Sequence, residues 1–133
     1  NGVNASSGTY IAYCFAEKKG YSKFGSYSGN GNANGPYIHL GFKPAFVIFK
    51  DTATRSWYLM DNKRDPENVV NNRLFPDASD GDSTGLNVLD FLSNGIKIKT
   101  NDVSVNASGN TYTFISFAEN PFVTSTGVPA TAR

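Results

Sequence analysis

One stretch of this chain occurs twice. Residues 3–17, VNASSGTYIAYCFAE, return 102 positions later as VNASGNTYTFISFAE at residues 105–119. Both copies run from an Asn/Ser/Gly turn through a Thr-Tyr entry to a Phe-Ala-Glu exit. A repeat of this kind implies duplicated architecture, and each copy reads as a turn feeding one buried strand. In the first copy Tyr10, Ala12 and Cys14 fall on one face of such a strand and Ile11, Tyr13 and Phe15 on the other. A strand with apolar residues on both faces needs cover on both sides.

The rest of the chain is built from short segments of the same type. Residues 21–27 form a Ser/Gly/aromatic stretch with the makings of a short edge strand. Residues 29–36, GNGNANGP, are the most loop-like part, read either as a linker or as a long hairpin tip, because Gly and Asn tolerate positive φ and Pro removes a ladder donor. Residues 44–50, PAFVIFK, are apolar on both faces and fit a central strand, and residues 56–61 return after a turn to give a hairpin. Pro66 in the polar stretch 62–72 is placed to open one short helix. Ser93-Asn94-Gly95 is a hairpin turn, and beyond it Ile96 and Ile98 alternate with Lys97 and Lys99, so the isoleucines face a core.

Many short strands between Gly/Asn/Ser/Pro turns predict an all-β fold: an antiparallel β-sandwich of the jelly-roll type, with about eight strands and at most one short helix. At 133 residues the chain fits a single sandwich without staples, and its one cysteine, Cys14, excludes an internal disulfide. Lying within an apolar strand, Cys14 is expected to be buried and inert. The formal charge of +1 gives no field that would draw in nucleic acid or an anionic membrane, and no apolar run is long enough to span a bilayer. The start without Met reads as a fragment, a processed product or part of something longer.

Taken in order, several motifs resemble a known family. They are the first repeat copy, GYSKFGSYSGNG at residues 20–31, GFKPAFV at 41–47, DNKR at 61–64, LDFLSNG at 89–95 and the ending GVPATAR at 127–133. The chain resembles a poorly characterised C-terminal module of tailed-bacteriophage virion proteins, of the tail-fibre or appendage type. The resemblance implies a concanavalin-like sandwich, a structural role, and modules arranged in tandem. Residues 1–20 would then be the final strand of a preceding module, acting as an extra strand, and residues 21–133 a complete module with a C-terminal tail. Localisation would be the virion, assembled in the host cytoplasm.

Candidate chemistry is sparse. His39 is the only histidine, and no nucleophile motif accompanies it. Asp77, Asp80 and Asp82 crowd one loop with oxygen ligands of the kind Ca²⁺ takes, but their spacing is not that of a calcium-binding loop and an acidic solvated turn fits better. Asp61, Lys63, Arg64, Asp65 and Glu67 form a mixed-charge cluster that reads as a salt-bridge network or solvated loop. Glu17 and Glu119 resemble a glycosidase pair only until their equivalence within the repeat is seen.

The sequence therefore predicts a non-enzymatic structural module without a cofactor, whose partners are copies of itself and other virion proteins. The expected assembly residues are Tyr10, Tyr13, Phe15, Tyr112, Phe114 and Phe117. Residues 9–17 are expected to pair at the edge of their own sandwich or, by strand addition, with a neighbour. The alternative is a lectin-like module that binds a host surface glycan through Tyr21, Tyr27, Tyr37 and Trp57.

Overall fold

The computed structural model describes residues 5–121 and 126. The tail motif at 127–133 and the first residues of the proposed preceding module lie outside them.

The protein is an antiparallel β-sandwich. Its elements are β1 (Ser22–Ser28), β2 (Tyr37–His39), β3 (Pro44–Asp51), β4 (Tyr58–Asp61), β5 (Leu89–Leu92), β6 (Gly95–Ile98), α1 (Val103–Asn106) and β7 (Thr111–Ala118). One sheet has the order β1-β7-β3-β4 and the other β2-β6-β5. Among the described residues there are seven strands, in keeping with the expected number, supplemented by isolated bridges such as Leu59 to Leu74 and Val70 to Leu89.

Alternation decides which side chains meet between the sheets. On β3, Val47 and Phe49 are buried, while Phe46 and Ile48 remain half-exposed on the outer side. Met60 and Tyr58 on β4 lie opposite Val47 and Phe49, and Ile96 and Ile98 on β6 come in from the second sheet. Full burial of an aliphatic or aromatic side chain stabilises by about 1.5–3 kcal/mol, so this common core supplies most of the driving force. Lys97 and Lys99 stay on the wet side, as their spacing requires.

Both expected hairpins form. Phe49 pairs with Tyr58 across the first, and Leu92 with Gly95 across the second. Gly95 is needed for close approach, because a Cβ there would sit 2.2 Å from the Ile38 carbonyl of neighbouring β2. The first hairpin is tied by Asp51, whose Oδ1 accepts from Ala53 N at 3.1 Å and Lys50 Nζ at 3.1 Å while Oδ2 takes the Arg55 guanidinium.

Three local readings are corrected. Residues 65–68 do not become helical, because both Asp65 oxygens are drawn forward to Asn71 and Asn72, with Oδ2 accepting their amides at 2.8 and 2.6 Å. The one helical turn is α1, where Asp102 Oδ1 accepts from Ser104 N at 2.8 Å and Val105 fills the core. Residues 9–17 are not a strand within this chain, and Cys14 is exposed rather than buried. The reason lies at Ser22, whose hydroxyl accepts from Lys18 N at 3.1 Å and donates to Ala16 O at 3.3 Å. Those bonds occupy backbone groups near the start of a hairpin ladder, and the segment leaves β1 without pairing along it.

Candidate assembly surface

The outer face of the four-stranded sheet follows from the alternation of β7. Tyr112, Phe114 and Ser116 point inward and are buried, which leaves Thr113, Ile115 and Phe117 outside. Register aligns Phe24 with Ile115, Ile115 with Ile48, and Ile48 with Leu59, and a bridge continues the row from Leu59 to Leu74. One apolar row therefore crosses the whole sheet. A second begins with Phe117 opposite Phe46, their ring centroids 5.9 Å apart.

Aromatic rings thicken this surface. Phe24 lies edge-on to Phe117 at 6.1 Å and Tyr21 does so at 5.7 Å. Phe15 reaches over from the N-terminal segment, stacked on Phe24 at 5.9 Å while 62% exposed. Ion pairs bound the strands: Lys23 with Glu17 at 3.5 Å and Lys43 with Glu119 at 2.8 Å. An apolar centre with a charged rim is the usual anatomy of a protein interface.

The expected assembly residues divide accordingly. Tyr112 and Phe114 are core residues and are withdrawn from the list, because the inward face of a central strand is closed by the second sheet. Phe117 and Phe15 belong to the outer surface, and Tyr10 and Tyr13 are exposed on the N-terminal segment. Sequence reasoning missed Phe24, Phe46, Ile48, Leu59 and Ile115. The signal was present in strands 44–50 and 111–118, whose apolar residues exceed what one inward face can take.

The chain matches, over residues 1–121, the model of a family described as Domain of unknown function (DUF7483). It belongs to that family. No curated protein and no solved structure matches it. Both copies of the repeat lie within the matched residues, so the first copy is part of the DUF7483 unit as well as the second.

Other candidate residues of the DUF7483 chain have structural employment. Tyr27 is not available to a glycan: it stacks on Tyr112 at 5.2 Å and its hydroxyl donates to Val105 O at 2.7 Å. Burial, helped by Tyr112, raises its pKa far above the usual phenol value. Tyr21, Tyr37 and Trp57 keep exposed faces but belong to separate places, Tyr21 just before β1, Tyr37 on β2 of the other sheet and Trp57 just before β4. His39 is exposed on β2 with Nδ1 3.3 Å from Tyr37 Oη, and no nucleophile or carboxylate is among its hydrogen-bond partners in the described residues.

The acidic candidates are dispersed in the same way. Asp77 accepts from Trp57 N at 3.0 Å and Asp82 lies 3.6 Å from Arg64, so with Asp80 they form no metal-ligating group among the described residues. Glu119 holds Lys43 and accepts from Asn62 Nδ2 at 3.0 Å, while Glu17 faces Lys23. Burial works to raise the Asp61 carboxyl, yet hydrogen bonds from the Arg64 and Lys63 amides and the Arg64 side chain hold it below the usual carboxylate range.

A cleft of about 280 Å³ opens between Lys43, Asp65, Glu67 and Phe91. Its polar groups are largely engaged: Asp65 by residues 71–72, Lys43 by Glu119, and the Asn68 amide by the Phe91 backbone at 2.9 and 3.0 Å. These contacts tie the loop to the sandwich. Arg73, also missed from the sequence, is buried against the rings of Tyr58 and Phe75 and donates to Ser83 Oγ at 2.9 Å.

Proposed function

We propose that this DUF7483 chain is a non-enzymatic structural module of a virion appendage, assembled with copies of itself through the outer face of its four-stranded sheet. The observation that carries the reading is the apolar row Phe24, Ile115, Ile48, Leu59 and Leu74, running across the sheet on the side away from the core. A contiguous apolar face rimmed by charge marks a protein contact more often than a free surface. The resemblance of its ordered motifs to C-terminal modules of tailed-phage virion proteins supplies the setting: assembly in the host cytoplasm and residence in the particle, beside other virion proteins. Copies of one chain joined through one face form closed rings or filaments according to the symmetry of the contact.

The absence of a catalytic role is part of the proposal, and the engagement of His39, Asp61 and Asp65 in local contacts supports it. Negative-stain electron microscopy of the purified chain tests the reading. Discrete rings, fibres or tubes are expected, and a field of single sandwiches at assembly concentrations would overturn it.

A lectin-like role has one observation in its favour. Tyr37 is 45% exposed, and its hydroxyl donates to Asn94 Oδ1 at 2.7 Å, giving an aromatic face with a polar rim. A glycan array probed with the chain and with Tyr37→Ala separates the readings, since specific signal lost in the variant belongs only to the lectin.

A further inference from the structure

The first repeat copy keeps the local geometry of the second, although it is not paired as a strand here. Ala5 N donates to Tyr10 Oη at 2.8 Å, and Ala107 N donates to Tyr112 Oη at 2.8 Å. Gly8 N donates to Ala5 O at 3.1 Å, and Asn110 N to Ala107 O at 3.3 Å. Ser7 holds φ at 64° where Gly109 holds 78°. A serine rarely adopts that left-handed backbone, so its occurrence at the position equivalent to Gly109 marks the same turn in both copies.

The surroundings of the two copies are opposite. Tyr112 is fully buried, whereas Tyr10 is 47% exposed, Ile11 81% and Tyr13 82%. Within this chain the first copy has nowhere equivalent to go, because the place between β1 and β3 is filled by β7 along its length.

We infer that residues 9–17 are the last central strand of a second copy of this fold, inserted between that copy's counterparts of β1 and β3. Tyr10, Ala12 and Cys14 would face its core, as Tyr112, Phe114 and Ser116 do here, with Ile11, Tyr13 and Phe15 on its outer face. The acceptor is a copy of this fold lacking a terminal strand of its own, and it is not identical to this one. Phe114 lies opposite Gly25, where an added Cβ would come 3.1 Å from the ring. Ala12 stands at the position of Phe114, so the acceptor carries a side chain where this copy has Gly25. The inference is independent of the outer-face reading: it concerns strand insertion, and the sheet face is unchanged if it fails.

The test is a two-copy chain in which residues 21–102 are placed directly ahead of Asn1 of the full chain, keeping the 102-residue period. It is made with Gly25 of the added copy retained and with Gly25→Leu there. Cys14, the only native thiol, is read by its rate of modification with a chromogenic disulfide. In the single chain it reacts as an exposed thiol. In the two-copy chain its rate falls by about a hundredfold, as for a side chain reached only by partial unfolding, and falls further with the leucine. Modification at the single-chain rate in both two-copy chains would overturn the inference, and equal protection with Gly and Leu would overturn the non-identical acceptor.

Discussion

The Tyr112 hydroxyl accepts from Ala107 N and donates to Val103 O at 2.7 Å, which pins the entry of β7 to α1 while the residue as a whole is fully buried. Removing that hydroxyl takes a hydrogen-bond partner from two partly buried backbone groups. Tyr112→Phe is expected to destabilise the fold by about 0.5–1.5 kcal/mol. Tyr10→Phe, at the exposed counterpart, should stay within about 0.5 kcal/mol of wild type. Urea unfolding of the two variants measures the contrast, and equal effects would refute the different roles of the two copies.

Asn106 organises the loop between β1 and β2. Its Oδ1 accepts from Asn30 N at 2.8 Å, and its Nδ2 donates to Asn32 O at 2.8 Å and Thr100 O at 2.7 Å. Asn106→Ala should cost about 1–3 kcal/mol, since the buried Thr100 and the exposed loop residues Asn30 and Asn32 lose their bonds to it together. Hydrogen exchange would locate the loss at residues 29–35 and α1; protection unchanged in that loop would contradict the assignment.

Gly109 and Ser7 share a left-handed turn but differ in what depends on it. A Cβ at Gly109 meets no atom within 4 Å, so Gly109→Ala isolates the backbone penalty, about 1–2 kcal/mol. Ser7→Gly should leave the unfolding midpoint of the chain unchanged. Thermal melts of both variants test this.

The pH dependence should centre on Asp51. Burial alone would raise its carboxyl, but hydrogen bonds from Arg55 and Lys50, with their charges, hold it below the usual range. A carboxyl depressed in the folded state contributes stability fully above the unfolded value of about 4 and loses it as pH falls through the folded value. Acid titration of stability should therefore steepen below about pH 4, and Asp51→Asn should lower stability at pH 7 while flattening that acid limb. An identical acid limb in the variant would count against Asp51.

Where local pattern fixes structure, the sequence was informative. The alternation Ile96-Lys97-Ile98-Lys99 and the Ser93-Asn94-Gly95 turn mark β6 and its hairpin, and residues 44–50 mark a strand that proves central. Partners were harder to read. Residues 9–17 have the composition of a covered strand, but a strand exists only where another backbone supplies its bonds, and Ser22 diverts the nearest one. The helix expected at Pro66 gave way to the reach of Asp65 toward Asn71 and Asn72, a contact across several residues that no propensity encodes. Among the candidate site residues, Tyr27, Tyr112 and Phe114 were visible as aromatics but not as core. Only register tells an inward ring from an outward one, and the outer row was legible solely as a surplus of apolar residues.

The central claim is that the outer face of the four-stranded sheet joins copies of this module. Ile48 sits mid-row on β3 and Ile115 beside it on β7, both half-buried on that face. Multi-angle light scattering over a concentration series, on the wild-type chain and on Ile48→Lys with Ile115→Lys, tests it directly. The account predicts that wild-type mass rises to a whole multiple of the monomer while the double variant stays monomeric with its circular dichroism spectrum unchanged. A wild-type chain that remains monomeric at the highest concentration, or a variant that assembles as well as wild type, would contradict it.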